Sequence, residues 1–218
     1  MILPTLTDSP TSTSSNLLDN LTTKPLAAII AGGQSRRMGG GDKGIKPLQE
    51  KMMITHVVER IAPQSSRIVI NANDAPAEYH ALNFPLFEDS IAGRLGPLAG
   101  VLTILENCED ELVMTLPCDT PLIPSDLIER MHARLLETDS DLCTIEADGS
   151  RHPIFMLLKR TLAPSIRDFL ESGERRVGYW LKQQNFCVAD FSDQAEAFSN
   201  INTPEEFERI SKEWDQNG

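Results

Sequence analysis

The sequence predicts an α/β fold: a Rossmann-like, mainly parallel sheet with helices on both faces and a small strand-rich insertion. Three observations carry that prediction. Short apolar runs alternate with longer amphipathic stretches, the order that builds βαβ units. A glycine-rich loop follows the first apolar run, where open α/β sheets take their ligands. The chain has 218 residues, 40% hydrophobic and 24% charged, enough for one domain with a real core.

The elements follow in order. Residues 1–24 are rich in Ser, Thr, Asn and Asp, contain Pro4 and Pro10, and keep no sustained period. They are expected to form a flexible tail, leaving residues 25–218 as a single domain. Residues 26–31 are a continuous apolar run stopped by Gly32 and Gly33, which reads as a buried strand. Residues 52–61 set Met53, Val57, Val58 and Ile61 at helical spacing. Residues 67–70 read as a second strand and 84–87 as a short third. Residues 98–105 read as a helix with Pro97 in its first turn. Residues 112–116 form the fourth strand, ended by Pro117. Residues 126–136 read as a helix with Ser125 as N-cap.

Beyond Asp141 the pattern changes. Residues 141–145 and 153–158 read as two strands around a turn at Ala147, Asp148 and Gly149. Helical stretches follow at about 162–171 and 177–183, then a late strand at 186–191. Thr203, Pro204 and Glu206 combine an N-cap, a proline at the first helical position and an acid at the third, a helix start.

Composition excludes several classes. The formal net charge is −12, which argues against a nucleic-acid binder working through a broad basic face, and against a polybasic membrane anchor. No run of 18 apolar residues marks a membrane span. The first 24 residues lack the basic start and apolar stretch of a secretory signal, and Arg36–Arg37 is not followed by the apolar run of a twin-arginine signal. Cys108, Cys118, Cys143 and Cys187 are too scattered for a zinc or disulfide framework, and fit reduced thiols in a cytoplasmic protein.

The informative feature is the loop from Ala31 to Gly44. It holds six of the chain's 13 glycines: Gly32, Gly33, Gly39, Gly40, Gly41 and Gly44. Glycines let backbone N–H groups turn inward and form an anion-binding concavity. From Lys24 to Lys51 there are six basic residues (Lys24, Arg36, Arg37, Lys43, Lys46 and Lys51) against Asp42 and Glu50, a positive stretch on an acidic body. Fixed donors with several cations are what a small polyphosphate needs. This is not a Walker A loop, because Lys43 is followed by Gly44 and no Gly-Lys pair exists. Gly39 to Gly44 fit the dinucleotide pattern nominally, but the run starts eight residues past Ala31.

Asp119 follows the fourth strand, where an emerging carboxylate suits a hard cation such as Mg²⁺; an ordinary turn Asp between Pro117 and Pro121 is the alternative. Asn71 and Asp89 follow the second and third strands, so they share an edge with the glycine loop; strand-end turn chemistry stays open for both. Gly96 and Gly100 bracket a helix start that could face an anion or pack closely on the sheet. Cys118 reads as a small strand-end filler rather than a nucleophile. His56, His80 and His132 read as surface or half-buried, and His152 stands just before Pro153.

Ile30-Ala31-Gly32-Gly33, Arg37-Met38-Gly39 and Asp42-Lys43 together resemble the signature loop of nucleotidyltransferases. Further runs narrow the resemblance to the molybdenum cofactor guanylyltransferases: Asn71-Ala72-Asn73, Glu88-Asp89, Gly96-Pro97-Leu98-Ala99-Gly100, Pro117-Cys118-Asp119-Thr120-Pro121, His152-Pro153, Gly173-Glu174-Arg175-Arg176 and Asn200-Ile201-Asn202-Thr203-Pro204. The resemblance implies transfer of GMP from GTP to the terminal phosphate of molybdopterin or Mo-molybdopterin, with Mg²⁺ as cofactor. It implies nucleotide contacts from Ile30, Ala31, Gly32, Gly33, Lys43, Asn71, Asp89 and Asp119. Arg37, Lys43 and Asp119 would be catalytic, with Asp119 on the metal. Gly96, Gly100, Arg175, Arg176, Asn200 and Asn202 would face the acceptor. It also implies transient contacts with other molybdenum cofactor biosynthesis proteins and molybdoenzyme chaperones. Family members show Gly-Lys-Pro-Leu where this chain has Glu50-Lys51-Met52-Met53, so the local turn is expected to differ. A related transferase using CTP or a sugar-phosphate acceptor, and a non-catalytic nucleotide and pterin carrier, are the alternatives.

Overall fold

The computed structural model describes residues 24–31, 44–93 and 95–198, with the helical residues 205, 206, 208, 209 and 212. The expected helix start at Thr203 and Pro204 lies outside the described residues.

Strand β1 (Leu26–Ile30) is apolar at every position and buried along its length, between 0% and 7% exposed. It pairs in parallel with β4 (Arg67–Asn71) on one edge and with β6 (Leu112–Pro117) on the other. Beyond β4 lies the two-residue β5 (Leu86–Phe87), also parallel. Beyond β6 come β8 (Ser150–Lys159), β7 (Leu142–Ala147) and β9 (Phe186–Asp190). The sheet order is β5-β4-β1-β6-β8-β7-β9, and β8 runs antiparallel to both of its neighbours. The late strands therefore continue the main sheet. The hairpin turn of β7 and β8 is the expected Asp148-Gly149 pair, with φ of +48° and +70°. Two central residues with positive φ match the right-handed strand twist.

Helices cover both faces. Alternation in β1 sends Ala27 and Ile29 to one face, against α1 (Met53–Ile61) and α4 (Leu127–Glu137). Leu26, Ala28 and Ile30 go to the other, against α3 (Pro97–Asn107), α5 (Ala163–Glu171) and α6 (Val177–Leu181). Residues 98–105 of α3 are all buried. Short elements additional to those predicted are α2 (Ala77–Ala81), a small hairpin of β2 (Pro47–Leu48) with β3 (Lys51–Met52), and 3₁₀ segments at Ala62–Gln64 and Ser192–Phe198. The hairpin turns at Gln49, φ +55°, one residue before Glu50.

The start of α4 differs from expectation. Asp126, not Ser125, is the N-cap, and it makes no side-chain capping bond. Gln64 caps the helix instead: its Oε1 accepts from the Ile128 N–H at 3.0 Å, and its Nε2 donates to the Pro124 carbonyl at 2.8 Å. An acceptor 64 residues away in sequence supplies what a local cap residue otherwise does.

Among the described residues no helix is long and apolar enough to cross a membrane. All four cysteines are buried, and none is paired in a disulfide. Burial pushes the Cys108 and Cys143 thiols up, away from the reactive thiolate. Titration of the native protein with a thiol reagent is therefore expected to find less than one fast-reacting group per chain, and all four after denaturation. A rapidly labelled native cysteine would contradict this packing.

Candidate active site

The strand order reverses at β1. The chain leaves β1 for β4 and β5 on one side, then crosses to β6 on the other. Such a reversal leaves a crevice at the carboxyl ends of the strands. Register fixes what borders it: Ile30 is opposite Asn71 on β4 and opposite Pro117 on β6. With adjacent strands about 4.8 Å apart, these two flanking positions lie about 10 Å from each other. The Ala31 N–H donates to the Asn71 carbonyl at 2.8 Å, closing the β1–β4 ladder at this edge.

Ile30 and Ala31 are buried here. Gly32, Gly33, Arg37 and Lys43 lie outside the described residues. The far end of the glycine loop is tied to α1, whose Ile54 N–H donates to the Gly44 carbonyl at 3.0 Å. On the β6 side, Cys118 and Thr120 are buried while Asp119 between them is half-buried. Cys118 belongs to the apolar cluster of the α1–α4 face, consistent with a filler.

On the β4 side the polar residues form one cluster. Asn71 is 1% exposed, and a buried amide needs partners. Its Nδ2 donates to the Phe87 carbonyl and to Asp89 Oδ1, both at 3.1 Å. Asn73 makes a two-point contact with the same aspartate: its Nδ2 donates to Asp89 Oδ2 at 2.6 Å, and its Oδ1 accepts from the Asp89 N–H at 2.8 Å. The next residue is fixed to α3, with the Ser90 N–H donating to Thr103 Oγ1 at 2.7 Å. Asn71 and Asp89, predicted separately, are thus in direct contact. Sequence reasoning assigned no role to Asn73, although two asparagines spaced i and i+2 leaving a strand are a signal for one shared face.

The residues expected on the acceptor side come together only partly. A Cβ built on Gly100 would sit 2.0 Å from Asn71 Oδ1, so this glycine makes room for the buried amide from the helix side. Gly96 is the N-cap of α3, and the Arg175 carbonyl lies 4.0 Å from where its Cβ would stand. The Arg175 guanidinium is turned to local carbonyls, donating to Leu170 at 2.6 Å at the end of α5. Arg176 stacks on the Tyr179 ring, 3.7 Å from its centroid, and pairs with Glu174. Asn200 and Asn202 lie outside the described residues. His152 packs beside Phe155 and Phe198, and burial holds its imidazole below the usual range.

A doubly wound sheet whose polar residues Asn71, Asn73 and Asp89 gather at the carboxyl ends of its strands defines an α/β domain that takes its ligand in the crevice there. The family model for the MobA-like NTP transferase domain matches residues 27–186. The chain is 45% identical over 187 residues to a molybdenum cofactor guanylyltransferase of Shewanella pealeana, covering 85% of this chain and 93% of that protein. A namesake from Shewanella piezotolerans is 44% identical over 187 residues, covering 85% and 91%. This chain belongs to the MobA-like NTP transferase family. Two solved structures share its fold. One is the molybdopterin-guanine dinucleotide biosynthesis protein A of Archaeoglobus fulgidus, with TM-score 0.69 and 20% identity, covering 88% of this chain and 99% of that one. The other is a CMP:2-keto-3-deoxy-manno-octonic acid synthetase complexed with CTP, with TM-score 0.67 and 14% identity, covering 90% and 100%.

The Gly100 contact yields a test of sign. By helix propensity alone, Gly100→Ala would stabilise by up to about 1 kcal/mol. The clash with Asn71 reverses this, and a loss of about 1–3 kcal/mol is expected in urea unfolding. In an Asn71→Ala background the same substitution is expected to be neutral or stabilising. Additive effects in that double-mutant cycle would show that the two residues do not press on each other.

Proposed function

We propose that this protein transfers GMP from GTP to the terminal phosphate of molybdopterin and releases pyrophosphate. A phosphate oxygen of the acceptor attacks the α-phosphorus; the bond to the bridging α–β oxygen breaks, and its electron pair leaves with pyrophosphate. The relatives at about 45% identity that are called molybdenum cofactor guanylyltransferases support this reading. The observation that carries it is the register around Ile30, which brings Asp119 and the Asn71–Asp89 pair to one crevice edge.

The nucleophile is already anionic near neutral pH, so the reaction needs positioning and charge neutralisation rather than a general base. No histidine or cysteine is asked to act. Arg37 and Lys43 neutralise charge at the α-phosphate and on the departing pyrophosphate. Asn71 and Asp89 contact the nucleotide, as do Ile30 and Ala31 through the end of β1.

Asp119 is the residue that would hold Mg²⁺. It offers the hard oxygen donor that Mg²⁺ prefers. Among the described residues no group of three His, Cys, Asp or Glu side chains could cage a metal. That donor set suits an ion completed by phosphate oxygens and water, as in other phosphoryl-transfer sites. When bound, the ion would supply charge stabilisation and template the phosphates.

The decisive measurement is pyrophosphate release from GTP with and without molybdopterin. Release dependent on the pterin and abolished by a chelator is expected; nucleotide and pterin binding without release would make the protein a carrier. Thermal shifts with GTP, CTP, ATP and UTP check nucleotide choice, and a clear CTP preference would overturn the guanylyl assignment. Asp119→Ala is expected to lower turnover about 10²–10³-fold with an unchanged circular dichroism spectrum. Unfolding of that variant would instead mark Asp119 as a turn residue.

A further inference from the structure

We infer that Asn73 is a positioning residue for nucleotide binding: its amide clamps Asp89 at two points and sets the direction in which that carboxylate meets the ligand. The inference rests on the reading that Asp89 contacts the nucleotide. It goes beyond it by assigning a role to a residue two positions past the end of β4.

The geometry is specific to an asparagine. Asn73 gives its amide N–H to Asp89 Oδ2 at 2.6 Å and takes the backbone N–H of the same residue on its Oδ1 at 2.8 Å. Donor and acceptor on one planar group thus satisfy the main chain and the side chain of one partner. Asn71 supplies the N–H for the other oxygen, Asp89 Oδ1, at 3.1 Å. A carboxylate has about four lone-pair sites, so with one donor on each oxygen roughly two remain. Those two are aimed by the clamp, because a carboxylate bonded on both oxygens cannot rotate freely. Regular structure does little of this work: β5 pairs with β4 through only two residue positions and ends before Glu88.

Among the described residues, the side-chain bonds to the Asp89 carboxylate come from Asn71 and Asn73. Asn71 and Asn73 are neutral. The titratable groups flanking the cluster are Asp74 and Glu88 in its own loops and Glu106 of α3, which Ser90 Oγ reaches at 3.3 Å and Arg167 pairs from α5. None of them stands between Asn73 and the carboxylate in the contacts described.

The nearly isosteric variant Asn73→Asp gives a readout that a merely structural role would not move. It keeps the acceptor for the Asp89 N–H and places two carboxylate oxygens where the 2.6 Å bond was. Like charges at that distance share a proton, and acidification supplies it. The protonated pair restores an O–H donor in place of the amide N–H.

The experiment measures GTP dissociation constants by direct binding for wild type, Asp89→Asn, Asn73→Ala and Asn73→Asp at pH 7.5 and 5.5. Each variant is expressed as a ratio to wild type at the same pH, which cancels titration of GTP and of the flanking groups. Asn73→Ala is expected to weaken GTP about tenfold. Asn73→Asp is expected to weaken it at least as much at pH 7.5 and to regain most of the loss at pH 5.5. Circular dichroism checks folding, and if Asn73→Ala does not fold, the Asn73→Asp ratio decides. A loss in Asp89→Asn beside wild-type binding in both Asn73 variants, or a ratio for Asn73→Asp that stays flat with pH, would overturn the clamp alone. Wild-type binding in Asp89→Asn would overturn the nucleotide role of Asp89 and the clamp with it.

Discussion

The constraint on which the rest depends is that β1 has no free side. It is five residues long, paired on both edges and covered on both faces. Its sequence meets that constraint with apolar residues only, including Ala27 and Ala28 where α1 and α3 must approach opposite faces. A strand enclosed in this way can offer chemistry only at its ends. At its carboxyl end Asn71 stands opposite Ile30 on one side, and on the other the chain passes from Pro117 through buried Cys118 to half-buried Asp119. The core and the crevice are two consequences of the same enclosure.

Enclosure also makes Asn71 demanding. An amide with 1% exposure costs free energy unless its groups are bonded. The chain answers from three directions: Phe87 and Asp89 accept its N–H groups, its own carbonyl accepts from Ala31, and Gly100 leaves the volume its side chain needs. The requirement passes outward, because fixing Asn71 fixes Asp89, and Asp89 then engages Asn73. A packing problem in the sheet thereby becomes an ordered polar surface at its edge. Gly100 links the two readings of the helix start weighed from sequence, since close packing on the sheet is what holds the polar edge in place.

What was legible in the sequence depended on range. Strands β1, β4 and β6 and helices α1, α3, α4 and α5 announce themselves through apolar runs or helical periods within a single window. The β2–β3 hairpin and α2 are too short to establish a period. Strand β8 runs over Ser150–Lys159, but only its later part is an unbroken apolar run, because its early residues are partly exposed. That half-visible strand is why the late strands read as an insertion; their antiparallel docking on β6 is a pairing that no local signal encodes. The α4 cap was misassigned for the same reason, as Gln64 acts across 64 residues. Strand-end positions placed Asn71, Asp89 and Asp119 at one sheet edge, and β4, β5 and β6 end in parallel on that edge. Those positions could not show that Asn73 grips Asp89, because hydrogen-bond partners across a loop are set by tertiary structure.

The charge pattern then has a physical reading. The described part of the crevice presents neutral amides and carboxylates: Asn71, Asn73, Asp89 and Asp119. These alone would repel a triphosphate, at about 4 kcal/mol for each pair of unit charges 4 Å apart in a medium of intermediate dielectric. On the proposed reaction, the carboxylates must therefore either meet donors on the uncharged part of the nucleotide or face phosphate across a cation. Asp89, held by two amides, suits the first; Asp119, half-buried past the end of β6, suits the second. The balancing positive charge lies in the sequence between Lys24 and Lys51, in a protein whose total is −12. On the proposed reaction, an acidic body with one basic segment favours a short polyanion over a long one, provided that cations and carboxylates converge on different parts of the same ligand.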